Sequence, residues 1–155
     1  RPGQPKMRHP GTFNANPLSA AAGVAALRQI ATGEPCRAAN DACRSLKHKL
    51  NALFDERFTD WVAYGDFSLL HILSGYSGSR PDGDDFVPYE GKLDKLDGPK
   101  NMKLLQAWRQ GLLLNGVDLF GFGAFMTAAH TTTDIDRTVE AIARTIEALR
   151  EERLA

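Results

Sequence analysis

The chain has 155 residues, 43% of them hydrophobic and 25% charged, and its 19 Lys and Arg are balanced by 19 Asp and Glu. That is the composition of a folded domain and excludes wholesale disorder, collagen-like repeats and low complexity. A formal net charge of zero leaves no basic field to hold nucleic acid non-specifically. No apolar run approaches the roughly 18 residues of a membrane span, and the length suits one domain, with or without an appendage.

Residues 1–16 read as extended chain and loop, because Pro2, Pro5 and Pro10 block helix and Gly11 permits a turn. The stretch has no apolar core, so it is not a secretory signal. The chain opens on Arg1 rather than Met, and the expectation is that it begins inside a longer protein. Asn16-Pro17 then predicts a helix start, with asparagine as N-cap and proline at the first helical position. The helix that follows, Leu18 to about Ala31, is apolar on nearly every side and is expected to be buried.

Gly33 ends that helix, and Glu34-Pro35 starts a longer one with a single apolar seam at Ala39, Cys43, Leu46, Leu50 and Leu53. Cys36 and Cys43 fall on it about 10 Å apart at ~1.5 Å per residue. That is too far for a disulfide, which points to a reducing, cytoplasmic setting. Residues 61–64 and 67–73 predict two short strands around Gly65-Asp66. Residues 74–100, rich in Gly, Pro and Asp, predict a long loop of the kind that serves as a lid or touches a partner.

Leu104, Leu105, Trp108, Leu112 and Leu113 predict a third helix closed by Gly116. Residues 117–120 and 125–129 are two further strand-like pieces. Thr131 and Asp134 have capping-box spacing ahead of a last helix with its seam at Ile135, Val139, Ile142, Ile146 and Leu149. The fold class is α+β, a short, mostly antiparallel sheet covered by helices.

Chemistry is sparse. His9, His48, His71 and His130 share no metal-ligand spacing, so no metal site is expected. Asp82-Gly83-Asp84-Asp85 lacks the alternating ligands of a calcium loop. Ser19, Ser68 and Ser77 have no nucleophile-elbow context, and Gly121-Phe122-Gly123 is no dinucleotide fingerprint. The stretch His9 to Leu18, HPGTFNANPL, is more specific. Gly11 frees a backbone amide, Thr12 adds a hydroxyl, and the helix start behind them offers further amides and a positive dipole end. It reads as a phosphate-contact loop or as a plain helix-capping turn.

This stretch resembles the class III (subgroup II) pyridoxal-phosphate aminotransferases, and most of all the branch around glutamate-1-semialdehyde aminomutase. In that branch a Gly-Thr-x-x-x-Asn-Pro-Leu run leads into an Ala-rich helix. Gln110 to Val117, QGLLLNGV, is similar to the same branch, as is Phe125 to Thr138, FMTAAHTTTDIDRT. The resemblance implies the C-terminal part of a fold-type-I enzyme. Residues 1–33 would be the remnant of the large cofactor domain, 34–57 a long linking helix and 58–155 the small C-terminal domain.

It further implies a homodimer in which Thr12, with Gly11 beside it, contacts the phosphate of pyridoxal 5'-phosphate bound to the other subunit. The reaction implied is amino-group transfer between an amine or amino acid and a carbonyl compound, with no nucleic-acid or membrane partner. The Schiff-base lysine of the family is expected upstream. None of Lys6, Lys47, Lys49, Lys92, Lys95, Lys100 or Lys103 sits at the matching place, so the chain by itself holds no catalytic residue and is expected to be inactive. Leu119 to Ala124, LFGFGA, stands where aminomutases carry a polar, acidic stretch, which favours transaminase over mutase chemistry. The reading from another class is a free-standing α+β interaction module whose partner surface includes Trp108, the long helix and the 74–100 loop.

Overall fold

The computed structural model describes residues 10–57, 59–96 and 101–154. Pro2, Pro5, Lys6, His9 and Lys100, all named above, lie outside them. The chain forms two compact units, residues 1–35 and 36–155.

In the first unit the described element is helix α1, Pro17–Ile30. Asn16 caps it: the side-chain oxygen accepts from the amides of Leu18 and Ser19, and Pro17 fills the first turn where no donor is needed. The helix ends as Gly33, at φ 73°, returns its amide to the carbonyl of Ile30. None of its residues is buried within this chain. Its apolar side chains are where the sequence puts them, but residues 10–35 contain no second element to cover them. Leu18 is 79% exposed and Leu27 65%.

The second unit is built on helix α2, Glu34–Glu56, which enters it just after Pro35. Its buried residues are Ala39, Cys43, Leu46, Lys47, Leu50, Leu53 and Phe54, so the predicted seam is the core face. Strands β1 (Val62–Tyr64) and β2 (Leu69–Leu73) pair antiparallel, with Ala63 opposite Ile72. The turn between them needs a glycine: Gly65 sits at φ 130°, and a Cβ there would stand 2.1 Å from the carbonyl oxygen of Leu69. Strand β3 (Gly123–Phe125) pairs on the other edge of β2, with Leu70 opposite Ala124. The order is therefore β1-β2-β3, and Leu70 and Ile72 of the central strand point into the core.

Among the described residues three strands replace the four expected. Residues 117–119 are irregular, Phe120 makes a single bridge to Gly123, and the last strand ends at Phe125 rather than running to Ala129. The physical reason is the tight turn at Gly121, φ 64°, which spends two residues on a reversal. A turn at Pro88–Gly91 and one helical turn, α3 (Leu93–Leu96), interrupt the long loop.

Helices α4 (Met102–Leu114) and α5 (Thr132–Glu151) cover the sheet. The capping box of α5 is made as predicted, Thr131 and Asp134 bonding each other's backbone amides. In α4, Leu104, Trp108 and Leu112 are buried, whereas Leu113 is half-exposed. The aromatic centre is Trp61, Trp108, Phe122 and Phe54: Trp61 lies 5.0 Å from Trp108, which stacks on Phe122 at 5.3 Å.

Candidate functional site

The Gly11-Thr12 turn lies in the first unit. Gly11 accepts from the Asn14 amide at 3.2 Å, and Phe13 accepts from the Asn16 amide at 3.2 Å, so two successive turns lead into α1. A Cβ at position 11 would stand 2.7 Å from Asn14 Oδ1, so a side chain there would oblige the Asn14 amide to turn aside. Ala15 takes the left-handed backbone, φ 61°, which aims Asn16 back at the helix.

The donors divide unequally. The Asn16 side chain already takes the Leu18 and Ser19 amides at 2.9 and 3.3 Å, Pro17 has none, and the Ala20 amide is in the first helical bond. The expectation that the helix start lends further free amides to an anion is thereby corrected; the cap residue consumes them. Thr12 differs. It is exposed, and among the described residues neither its hydroxyl nor its amide is bonded. A glycine-made turn presenting an uncommitted hydroxyl and amide fits one edge of a phosphate group, with the remaining oxygens served from elsewhere.

The second unit holds a charged cluster that sequence reasoning missed. Asp84 of the long loop meets three side chains of α2: Arg44 Nε at 3.0 Å, His48 Nε2 at 2.6 Å and Lys47 Nζ at 4.0 Å. Lys47, buried, also donates to the carbonyls of Asp84 at 2.7 Å and Gly65 at 3.2 Å. The hydrogen bond from His48 holds the Asp84 carboxyl below its ordinary range, with Lys47 and Arg44 adding to the effect. Arg80 makes a second attachment, to Asp55 at 2.6 Å and to the Trp61 carbonyl at 2.7 Å. The loop is thus tied to α2 rather than hanging as an open lid. Only the spacing of Arg44, Lys47 and His48 on one helical face could have signalled this.

His130 closes a turn: its Nδ1 accepts the Thr127 amide at 3.0 Å. His71 stacks on Tyr64 across the hairpin at 5.3 Å. Cys36 is exposed and Cys43 buried, where desolvation pushes its thiol up and Lys47 partly opposes the shift. Among the described residues no helix is long and apolar enough to cross a membrane. Trp108 is wholly buried, so it forms no part of a partner surface, and the interaction-module reading loses its anchor.

With this geometry the chain is similar in sequence to proteins named glutamate-1-semialdehyde 2,1-aminomutase and in fold to part of PLP transaminases, over nearly its whole length. Among curated proteins it is 30% identical over 150 residues to a glutamate-1-semialdehyde 2,1-aminomutase of Hyperthermus butylicus, covering 94% of this chain and 32% of that protein. A protein of the same name from Pyrobaculum calidifontis is 30% identical over 146 residues. Among solved structures, a β-phenylalanine aminotransferase from Variovorax paradoxus superposes with a TM-score of 0.73 at 25% identity, over 97% of this chain and 32% of that one. A transaminase with PLP bound gives 0.72 at 22% identity over 99% of this chain. No family model matches the chain. The chain spans about one third of the length of the relatives it matches.

Proposed function

We propose that this chain is the C-terminal part of a pyridoxal-phosphate-dependent aminotransferase that moves an amino group between an amine or amino acid and a carbonyl compound. The observation that carries the reading is continuity: one aminomutase matches 94% of the chain in sequence, and two transaminases match 97–99% of it in fold. In this reading residues 1–33 close the cofactor-binding domain, 34–57 link, and 58–155 form the small domain. The lysine that holds the cofactor lies outside these residues, so the chain alone is inactive. The enzyme is a cytoplasmic homodimer.

Pyridoxal phosphate, when bound, supplies an electron-withdrawing ring that stabilises negative charge at the amine-bearing carbon. The work assigned to this chain is binding. Thr12 donates its hydroxyl and amide to the phosphate held by the partner subunit, and Gly11 lets the backbone come close enough to do so. Two donors on a dianion fix the cofactor's position without taking part in proton transfer.

The aminomutase reading draws on the names of the curated relatives. Against it stands Phe122, an aromatic packed on Trp108 and Trp61, within the stretch where aminomutases are expected to be acidic. A half-buried phenylalanine packed on these rings offers no carboxylate to a substrate. The deciding experiment uses the protein at its natural length: cofactor titration, followed by amino-group transfer from a panel of amines to pyruvate, beside a glutamate-1-semialdehyde isomerisation assay. Stoichiometric cofactor with transfer and no isomerisation is the expected result. Absence of cofactor binding defeats the reading.

A further inference from the structure

The C-terminal turn of α4 sets an asparagine directly before a glycine, Asn115-Gly116. Gly116 takes the left-handed backbone at φ 80°. Its amide donates to the Leu113 carbonyl at 3.0 Å, and the Val117 amide donates to the Leu112 carbonyl at 3.0 Å. Asn115 is the cap residue itself. Its amide donates to the carbonyls of Gly111 and Leu112, and its side-chain Nδ2 donates back to the Gly111 carbonyl at 2.8 Å.

This turn holds two reactive groups side by side. The carboxamide carbon of an asparagine lies within ring-closing reach of the next backbone nitrogen, which makes their encounter intramolecular. At Gly116 no Cβ shields that nitrogen, and a Cβ placed there would meet nothing within 4 Å, so the surroundings add no shield either. Of the chain's asparagines only Asn115 precedes glycine. Two bonds of the folded turn oppose ring closure. The Gly116 N–H, whose proton must leave before the nitrogen can attack, is held by Leu113, and the Asn115 carboxamide is tied to Gly111.

We propose that Asn115-Gly116 is a self-modification site that the folded end of α4 keeps closed. When the turn opens, Gly116 N forms a bond to Asn115 Cγ, the Cγ–Nδ2 bond breaks, and ammonia leaves with the proton given up by Gly116. Water then opens the succinimide ring at either carbonyl, leaving aspartate or isoaspartate at position 115. The balance needs water alone. The product cannot rebuild the turn: the donor to the Gly111 carbonyl is gone, and a negative charge stands at the negative end of the α4 dipole. The change is irreversible and so records that the end of α4 has opened. The site lies within the second unit and uses nothing of the Gly11-Thr12 turn, so it stands or falls apart from the cofactor reading.

The test follows the full chain in mildly alkaline buffer, folded and in urea, with peptide mapping by mass spectrometry to read the acid formed at each asparagine. In urea Asn115 is expected to convert at least about tenfold faster than Asn51, which precedes alanine. In the folded chain Asn115 is expected to convert at least about tenfold more slowly than in urea. Gly116→Ala should bring the rate in urea down to that of Asn51, a comparison that does not depend on how the variant folds. Asn115→Asp, the acid product, should speed hydrogen exchange of the Gly116 and Val117 amides in the folded chain. Equal conversion of Asn115 and Asn51 in urea, or an unchanged urea rate in Gly116→Ala, would overturn the site. Equal rates at Asn115 with and without urea would overturn its protection by the fold, and unchanged exchange in Asn115→Asp would overturn the loss of the turn.

Discussion

Gly111 of α4 lies against Thr145 of α5 so closely that a Cβ at position 111 would stand 2.6 Å from Thr145 Cγ2. Thr145 is fully buried, and its hydroxyl donates to the Ala141 carbonyl at 2.8 Å, so it has a satisfied polar atom and no room to turn. The crossing of the two covering helices is set by the missing side chain.

Gly111→Ala is therefore expected to destabilise the second unit, although alanine is the better helix former. The propensity gain of about 1 kcal/mol is outweighed by overpacking, which costs about 1–3 kcal/mol before that gain. Thr145→Ala removes the opposing methyl, and in the double variant much of the loss should return. Urea midpoints of the four proteins in this cycle measure it. Additivity of the two changes would show that the helices do not meet there.

The Asp84 clasp predicts acid release of the long loop. Its carboxyl is held below the ordinary value first by the His48 hydrogen bond, then by Lys47 and Arg44. A depressed carboxylate stabilises fully above its unfolded value of about 3.9 and ceases to do so as pH falls through its folded value. Protection of amides in residues 77–91 should drop in that acid window while the α2 core stays protected. Asp84→Asn should produce the same loss at neutral pH. Equal protection in both proteins would mean that Arg80 and the Lys47 bond to the Asp84 carbonyl hold the loop without the carboxylate.

Thr12→Val tests the phosphate contact in the natural-length protein. The hydroxyl is expected to give one charge-assisted hydrogen bond, worth roughly 1.5–3 kcal/mol. Cofactor dissociation should rise about 10- to 150-fold at ~1.4 kcal/mol per decade. Folding should change little, because Thr12 is exposed and makes no bond of its own among the described residues. Affinity within about twofold of wild type would make the loop a capping turn only.

Trp108→Phe addresses the aromatic centre. Trp108 is wholly buried and donates Nε1–H to the Gly121 carbonyl at 2.9 Å, which pins the turn before β3. Phenylalanine leaves that carbonyl unpaired and a void beside Trp61, for a cost of about 2–4 kcal/mol. A chevron or urea series would read it. A loss under about 1 kcal/mol would place the carbonyl in contact with water.

Much of the helical framework is legible in the chain because helix signals are local. Asn16-Pro17, Gly33, the 39–53 seam, Gly116 and the Thr131–Asp134 box all act within a few residues of themselves, and each appears in the structure. Strands are different, because a short apolar run becomes a strand only if a partner strand reaches it. Residues 117–120 have strand composition but meet the turn at Gly121 instead, while Gly123 is recruited by pairing with His71. The candidate site divides the same way. Gly11-Thr12 is readable as a motif, but that Asn16 consumes the helix donors is a matter of side-chain geometry.

The sequence by itself determined the α+β class, most helix boundaries to within a few residues, and the family resemblance. Those depend on periodicity, capping chemistry and residue order, which act along the chain. Tertiary structure alone decided the three-strand sheet, the burial of Trp108, the Gly111–Thr145 contact and the clasp on Asp84. Each joins residues far apart in sequence, or depends on which partners remain unclaimed, and close packing and charge pairing are settled only when distant segments share one space.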